Sequence, residues 1–259
     1  MKIPFYQIDA FTNEQFKGNP AGVCPLEEWI EDELMQNIAA ENNLSETAFF
    51  VKKGNDYELR WFTPKGEIDL CGHATLATAY VIFNYLHEDL NKIRFSTKSG
   101  ILEVTRKDNL LTMIFPSRKG EKCSVPEALV KGLGKMPREV YRSRDYMAVF
   151  DKEEDILSLR LNMDELKKLD GAGVIVTAKG NEVDFVSRFF APKLGVDEDP
   201  VTGSAHCTLV PYWKDVLNKK EFVAHQLSER GGKLYCKDLG DMIEISGEAV
   251  AYLEGYIFI

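Results

Sequence analysis

Two short segments contain residues whose types and spacing could bind an anion and carry out chemistry beside it. They read Cys71-Gly72-His73-Ala74-Thr75 and Thr202-Gly203-Ser204-Ala205. Each opens a largely apolar stretch of helical character, so Gly72 and Gly203 stand at predicted helix starts. The first turn of a helix has unpaired backbone N–H groups and positive partial charge, and glycine lets a ligand approach that backbone closely. We therefore predict two anion-binding helix starts, the alternative being two ordinary turns.

A third candidate is Glu46, which stands directly before the apolar residues Ala48 to Val51 of a predicted strand. A carboxylate that enters an apolar setting can have its proton affinity raised, as a general acid or base requires. An exposed carboxylate at the turn between a helix and a strand is the alternative. Asp199 precedes the second glycine segment, where it could contribute to a site or could merely cap the helix.

Other kinds of site are not supported by the residue spacing. His73 and His206 have no carboxylate or second histidine at the spacing of metal ligands along one helix. Gly132-Leu133-Gly134 lacks the third glycine of a dinucleotide fingerprint. Ser204 lacks the glycines that flank the nucleophile of a hydrolase elbow. We therefore expect neither a metal nor a cofactor.

An internal repeat relates the two glycine segments. The sequence from Arg60 to Lys65 resembles that from Arg188 to Lys193 at a separation of 128 residues, and Gly72 and Gly203 lie 131 residues apart. Both halves read as a strand, a proline-containing loop, a glycine and a buried helix, which suggests two lobes of one ancestral design. Equivalent loops of the two lobes would form the walls of a cleft, and ligands often bind at such interfaces.

The elements that must position these residues are mostly strands, separated by polar turns. Leu26 to Glu41 has the apolar periodicity of an amphipathic helix. His73 to Leu86 and Ser204 to Leu217 are instead apolar on nearly every face, which is typical of helices buried on all sides. We therefore predict an α+β fold in which strands wrap around each of two central helices. The predicted strands are Ile3 to Ile8, Ala48 to Val51, Tyr57 to Phe62, Ile93 to Phe95, Leu102 to Arg106, Leu110 to Phe115, Val174 to Thr177, Val183 to Phe190, Glu221 to Gln226, Met242 to Ser246 and Val250 to Phe258.

The composition excludes several classes of protein. The 259 residues are 44% hydrophobic and 28% charged, as in globular proteins, and neither apolar helix is long enough to span a bilayer. A formal net charge of -9 disfavours nucleic acid as a partner. The five cysteines are widely spaced and form no Cys-x-x-Cys pair, which favours reduced thiols and a cytoplasmic location. The first residues lack the apolar region of a secretory leader. We expect no nucleic acid and no membrane as a partner.

Four motifs together resemble the PhzF family of phenazine-biosynthesis-like isomerases, which are similar in fold to diaminopimelate epimerase. The motifs are Gly18-Asn19-Pro20-Ala21, Leu44-Ser45-Glu46-Thr47-Ala48, Cys71-Gly72-His73-Ala74-Thr75 and Glu198-Asp199-Pro200-Val201-Thr202-Gly203-Ser204-Ala205. The resemblance implies two pseudo-symmetric lobes, each a barrel-like β-sheet wrapped around a central buried helix. It also implies cofactor-independent proton transfer on a small carboxylate-bearing metabolite, in a homodimer. We expect an N-terminal lobe over residues 1–117 and a C-terminal lobe over 118–259, with the last strand, 250–259, packed on the N-terminal lobe.

The resemblance also implies roles for single residues. The catalytic residues it implies are Glu46, as general acid and base, His73, Asp199 and Ser204. The substrate-binding residues are Asn19, Cys71, Gly72 and Gly203.

Two alternatives stay open beside this isomerase. Epimerase relatives use two cysteines, and Asp199-Pro200-Val201 stands where the second would be, so a racemase here would pair Cys71 with a non-thiol group. The other alternative is a binding protein that kept the fold and lost turnover.

Overall fold

The computed structural model describes all 259 residues, which form seventeen strands and six α-helices. The strands are β1 Lys2–Ala10, β2 Asn19–Leu26, β3 Glu46–Lys53, β4 Asp56–Thr63, β5 Gly66–Ile68, β6 Lys92–Thr97, β7 Gly100–Lys107, β8 Leu110–Pro116, β9 Glu121–Lys122, β10 Glu139–Arg142, β11 Tyr146–Val149, β12 Val174–Lys179, β13 Phe185–Phe190, β14 Glu221–Gln226, β15 Gly232–Asp238, β16 Met242–Gly247 and β17 Ala249–Phe258. The helices are α1 Asp32–Asn42, α2 Gly72–Val81, α3 Glu127–Leu133, α4 Glu153–Leu157, α5 Met163–Leu166 and α6 Gly203–Leu217. A π-helical turn, Ile82–Leu86, continues α2, and a 3-10 turn covers Pro192–Leu194. No helix combines the length and the apolar character that crossing a membrane requires.

The chain forms two compact units. The first contains residues 1–114 and 246–259, and the second contains residues 115–245. The boundaries between the units fall within β8 and β16. The first unit contains the buried helix α2, and the second contains the buried helix α6.

The first unit surrounds α2 with strands. The strand β1 pairs antiparallel with β2 and β17, β2 pairs parallel with β3, and β3 pairs antiparallel with β4. The helix packs against β1, β2, β3 and β17, and eight of its ten residues are buried. Two of these are threonines whose hydroxyls donate to carbonyls one turn back, Thr75 to Cys71 at 2.6 Å and Thr78 to Ala74 at 2.7 Å. Their polar atoms are therefore satisfied inside the helix itself.

The second unit is built around α6. Here β11 pairs parallel with β12, β12 pairs antiparallel with β13, β13 pairs parallel with β14, and β14 pairs antiparallel with β15. The indole of Trp213 on α6 stacks on Phe185 of β13 with 5.6 Å between ring centroids, and its N–H donates to Thr177 Oγ1 at 3.0 Å. The aromatic area fills the core, and the one polar atom of the ring is satisfied.

A proline lies inside α6, at position 211. Because proline has no N–H, the carbonyl of Cys207 one turn earlier loses its helical donor. The backbone N–H of Arg118 donates to that carbonyl at 2.9 Å. A segment outside the helix therefore replaces the missing bond, which lets the helix continue to Leu217.

The same ion pair occurs in both repeated segments. Arg60 on β4 forms a two-bond fork with Glu67, at 2.8 and 2.9 Å, and Arg188 on β13 forms one with Glu198, at 2.7 and 2.9 Å. Each guanidinium also lies over the ring of the phenylalanine two residues later on its own strand. The distance from the guanidinium carbon to the ring centroid is 5.2 Å for Phe62 and 5.0 Å for Phe190. The segments that match in sequence thus make matching contacts.

The predicted element types agree with the structure, with differences at the ends. The amphipathic helix begins at Asp32 instead of Leu26, because Leu26 ends β2. Glu46 is the first residue of β3 and not part of a preceding turn. The stretch from His73 to Leu86 changes from an α-helix to a π-helical turn at Ile82.

Several strands were not predicted. Among them, β2 reads NPAGVCPL, with two prolines and a glycine, residues that disfavour strands. It forms because β1 and β3 pair with it on either side, and tertiary pairing outweighs local preference.

Candidate active site

A cluster of three reactive side chains lies at the start of α2. Glu46 is brought there by β3, Cys71 immediately precedes the helix, and His73 is its second residue. Oε2 of Glu46 lies 3.0 Å from Nε2 of His73, and Sγ of Cys71 lies 3.5 Å from Nδ1 of the same ring. The side chains of His73 and Glu46 are only 7% and 15% exposed. The first unit therefore holds a carboxylate, an imidazole and a thiol in mutual contact and largely out of water.

Asn19 holds the other side of the histidine ring. It is the first residue of β2, which runs parallel to β3 with Ala21 beside Glu46. Gly18 precedes it with a φ of +64°, and a Cβ there would collide with the carbonyl oxygen of Ala10, so only glycine fits this turn. Nδ2 of Asn19 lies 3.2 Å from Nδ1 of His73.

This contact bears on which ring nitrogen carries the imidazole proton. With the amide N–H of Asn19 as the donor, Nδ1 of His73 accepts and the ring proton of the neutral imidazole is on Nε2. The protonated ring also has a proton on Nε2. Oε2 of Glu46 lies 3.0 Å from Nε2 of His73, and neither atom has a hydrogen-bond partner, so the two groups are close without being aligned for a hydrogen bond.

The electrostatic setting supports that pairing. Burial alone would lower the pKa of His73, but the adjacent Cys71 sulfur and Glu46 carboxylate outweigh it and hold the pKa well above its usual value. Burial also raises the pKa of the Cys71 thiol, and the nearby Glu46 carboxylate adds to the effect. The raised pKa of His73 is thus due first to the neighbouring sulfur and then to the Glu46 carboxylate.

In the second unit, Asp199 belongs to a hydrogen-bonded group before α6. The hydroxyl of Thr202 donates to Oδ2 of Asp199. Gln226 on β14 joins both residues, since its Nε2 donates to the Asp199 carbonyl at 2.7 Å and its Oε1 accepts from the Thr202 N–H at 2.8 Å. The N-cap residue of α6 is Thr202, whose own side chain forms no capping hydrogen bond.

Ser204 lies beside an arginine in the same unit. Nη2 of Arg144 donates to Oγ of Ser204 at 3.2 Å, and its guanidinium is held by Asp145, whose side chain is 2% exposed, at 2.8 Å. The buried carboxylate orients the arginine while 44% of the Arg144 side chain stays exposed. An exposed, oriented guanidinium next to a serine is well suited to bind a carboxylate.

Sequence reasoning missed Arg144, Asp145 and Gln226. Arg144 and Asp145 lie in the short connection between β10 and β11, and Gln226 ends β14, so all three are far along the chain from the motifs they contact. An adjacent arginine and aspartate is too common a pair to mark a site. Only the pairing of the strands brings these residues to the start of α6.

Both helix starts have the features expected of anion sites. Neither α2 nor α6 has an acidic residue in its first turn, and the N-cap residues Cys71 and Thr202 form no side-chain capping hydrogen bond. The positive end of each helix favours an anion there. Gly72 and Gly203 are the first residues of the two helices, as predicted. That both starts serve one cleft stays a prediction.

The cluster in the first unit could also hold a metal ion. One donor atom each from Glu46, Cys71 and His73 lies within 4.8 Å of the other two. The expectation that no metal ligands are present was based on spacing along a helix. The structure supplies the third donor from β3, which helical spacing does not consider.

Comparison with known proteins assigns the chain to a family. The family model described as phenazine biosynthesis-like protein matches residues 8–255. The chain belongs to this family. The chain is 49% identical over 255 residues to an uncharacterised isomerase of Pseudomonas aeruginosa, with 98% of each chain covered. It matches the crystal structure of a PhzF family protein from Enterococcus faecalis at 48% identity and a TM-score of 0.98, with 100% of each chain covered. The expected family and its class, the isomerases, are confirmed.

A more distant structure confirms the expected fold. A hydroxyproline epimerase from Agrobacterium vitis superposes with a TM-score of 0.66 over 99% of this chain and 92% of its own, at 9% identity. At that identity the likeness concerns the fold alone. The α+β fold of this chain is thus shared with that epimerase.

Proposed function

We propose that the protein is an isomerase that moves a proton within a small carboxylate-bearing substrate, with Glu46 as the general acid and base. The observation that carries the proposal is the 3.0 Å contact between Oε2 of Glu46 and Nε2 of His73 in a largely buried setting. A general base must lie within hydrogen-bond reach of the proton that it removes. The family's isomerase class agrees with this chemistry.

The proposed reaction has two proton transfers. A carboxylate oxygen of Glu46 removes a proton from a substrate carbon, and the electron pair of that C–H bond shifts into the adjacent unsaturated system. Glu46 then returns a proton to a different carbon of the substrate, and exchange of that proton with solvent before its return allows deuterium uptake from heavy water. His73 assists by exchanging a proton with the neighbouring Glu46 or by stabilising negative charge on the substrate, and Asn19 contacts the other nitrogen of the ring. Positioning of this kind lowers a barrier by several kcal/mol.

We also propose that groups of the second unit bind a carboxylate. Arg144 supplies a cationic fork, Ser204 a hydroxyl, and the start of α6 its unpaired N–H groups. Asp199 orients Thr202 and polar groups of the substrate. If this assignment is right, Ser204→Ala raises KM more than it lowers kcat, because the hydroxyl takes no part in the proton transfer.

The decisive experiment replaces Glu46 by glutamine, which keeps the shape of the side chain but cannot accept the proton. Small cyclic acids and amino acids are first screened for deuterium uptake from heavy water, which reports proton abstraction before any product is known. Glu46→Gln should lower the exchange rate of a responding acid by about 100-fold or more. Glu33→Gln, an exposed change in the first turn of α1, is the matched control and should exchange at the wild-type rate. Near-normal exchange by folded Glu46→Gln would refute the assignment.

A racemase that uses Cys71 is the second candidate, because the thiol lies 3.5 Å from the imidazole. A thiol base needs its thiolate, and burial raises the pKa of Cys71. The Cys71→Ser variant separates the two candidates, since the Glu46 isomerase keeps most of its proton transfer and the racemase loses it. Tight binding of small acids without deuterium uptake by any of them would instead identify a binding protein.

A further inference from the structure

The three donors at the start of α2 have the spacing of ligands around one metal ion. For tetrahedral zinc with a Zn–S bond of about 2.3 Å and a Zn–N bond of about 2.0–2.1 Å, the sulfur and nitrogen ligands lie about 3.5–3.6 Å apart. Sγ of Cys71 and Nδ1 of His73 lie 3.5 Å apart. One edge of the coordination tetrahedron is therefore already formed.

The third donor is within reach of the same ion. The oxygen edges of a tetrahedral site measure about 3.4–3.6 Å, and all three donor atoms lie within 4.8 Å of one another. Oε2 of Glu46 lies 3.0 Å from Nε2, the other nitrogen of the ring, so the carboxylate must change rotamer to share an ion with Cys71 at Nδ1. Nδ1 of His73 also contacts the amide of Asn19, which the ion must displace.

The donor set selects the kind of metal. A thiolate and an imidazole favour zinc and similar transition ions over magnesium and calcium, which prefer all-oxygen sites. Three protein ligands with an open fourth position are typical of zinc sites that exchange a ligand. The other cysteines are not part of this cluster.

We propose that Glu46, Cys71 and His73 bind one Zn²⁺ ion, and that the bound ion inhibits the protein. On binding, the thiol of Cys71 releases its proton to solvent and its sulfur coordinates the metal. The Glu46 oxygen and the His73 nitrogen give their lone pairs to the same ion. The metal site stands on geometry alone, whereas inhibition rests on the proposed function, because a coordinated Glu46 can no longer accept a substrate proton.

Cobalt tests the site, since Co²⁺ replaces zinc and a thiolate–cobalt bond gives a charge-transfer absorption band. Wild-type protein should bind one equivalent of Co²⁺ with this band, and Zn²⁺ should displace it. Cys71→Ser should lose the band, while Cys123→Ser, the matched control, should keep it. A missing band in the wild type, or a band that survives in Cys71→Ser, overturns the proposal. Circular dichroism checks that each variant is folded.

If Cys71→Ser does not fold, a second variant still tests whether these residues bind the metal. Glu46→Gln leaves the thiolate and imidazole in place, so the band should remain while the affinity for Zn²⁺ falls by about 10-fold or more, the scale seen when the surroundings of a metal ligand are altered. Unchanged affinity would remove Glu46 from the site.

Deuterium exchange with and without Zn²⁺ then tests inhibition by itself. Loss of exchange on addition of one equivalent, reversed by a chelator, supports inhibition, and full exchange by the zinc-loaded protein contradicts it. If folded Glu46→Gln exchanges normally while the cobalt band is present in the wild type, the proposed function fails and the metal site stands.

Discussion

His206 should make the second unit unstable in acid. The residue lies on α6, two positions after Ser204, and its side chain is fully buried. Nδ1 donates to the Thr202 carbonyl at 2.9 Å, and Nε2 has no hydrogen-bond partner. Burial lowers the pKa of His206 from 6.5 to about 4, although the bond to the Thr202 carbonyl opposes the effect. The fold therefore holds this ring in its neutral form.

The size of the effect follows from linkage. In the unfolded chain His206 takes up a proton near pH 6.5, and in the folded protein only near pH 4. Between these values the unfolded state binds more protons, so the free energy of unfolding falls as the pH falls. The full difference corresponds to roughly 3 kcal/mol, and about 2 kcal/mol of it should be lost between about pH 7 and pH 5.

The assay compares urea unfolding of the wild type and of His206→Gln at these two pH values. Glutamine does not titrate, so the stability lost on acidification should be smaller in the variant by about 2 kcal/mol. The comparison is needed because His73 acts in the opposite direction: its raised pKa contributes stability below pH 6.5 that is lost as the pH rises. A stability difference between wild type and variant that is the same at both pH values would refute the reasoning.

Three further predictions concern the scaffold of the site. Gly18→Ala should destabilise the protein by more than about 1 kcal/mol, since it adds a steric collision to an unfavourable φ, and should lower exchange activity by displacing Asn19. Gly54→Ala, at a similar φ of +62° but with open space around it, is the control and should cost only the strain. Thr177→Val removes the acceptor of the buried Trp213 N–H and should lower the free energy of unfolding by about 1–3 kcal/mol in urea titrations. Arg188→Met should leave the Glu198 carboxylate without its cation and lower the melting temperature of the protein. An unchanged melting temperature would show that this ion pair does not stabilise the fold.

The sequence by itself determined the elements that depend on neighbouring residues. Apolar residues on every face predict the two buried helices, and Gly72 and Gly203 mark their starts. Alternating β-branched and aromatic runs predict most of the strands. These patterns suffice because hydrophobic periodicity acts within one element, where each side chain's exposure follows from its position along the helix or strand. The matching motifs also made Glu46 and His73 candidates for catalysis.

Only the tertiary structure decided which of these residues meet. Glu46 and His73 are 27 positions apart in the chain, and their 3.0 Å contact exists because β3 begins beside the start of α2. Asn19 reaches the ring from β2, a strand that its own residues disfavour and that pairing on both sides enforces. Arg144 reaches Ser204 from a short connection with no local signal of function. Contacts of this kind depend on strand register and packing between distant segments, which residue patterns within single elements do not encode.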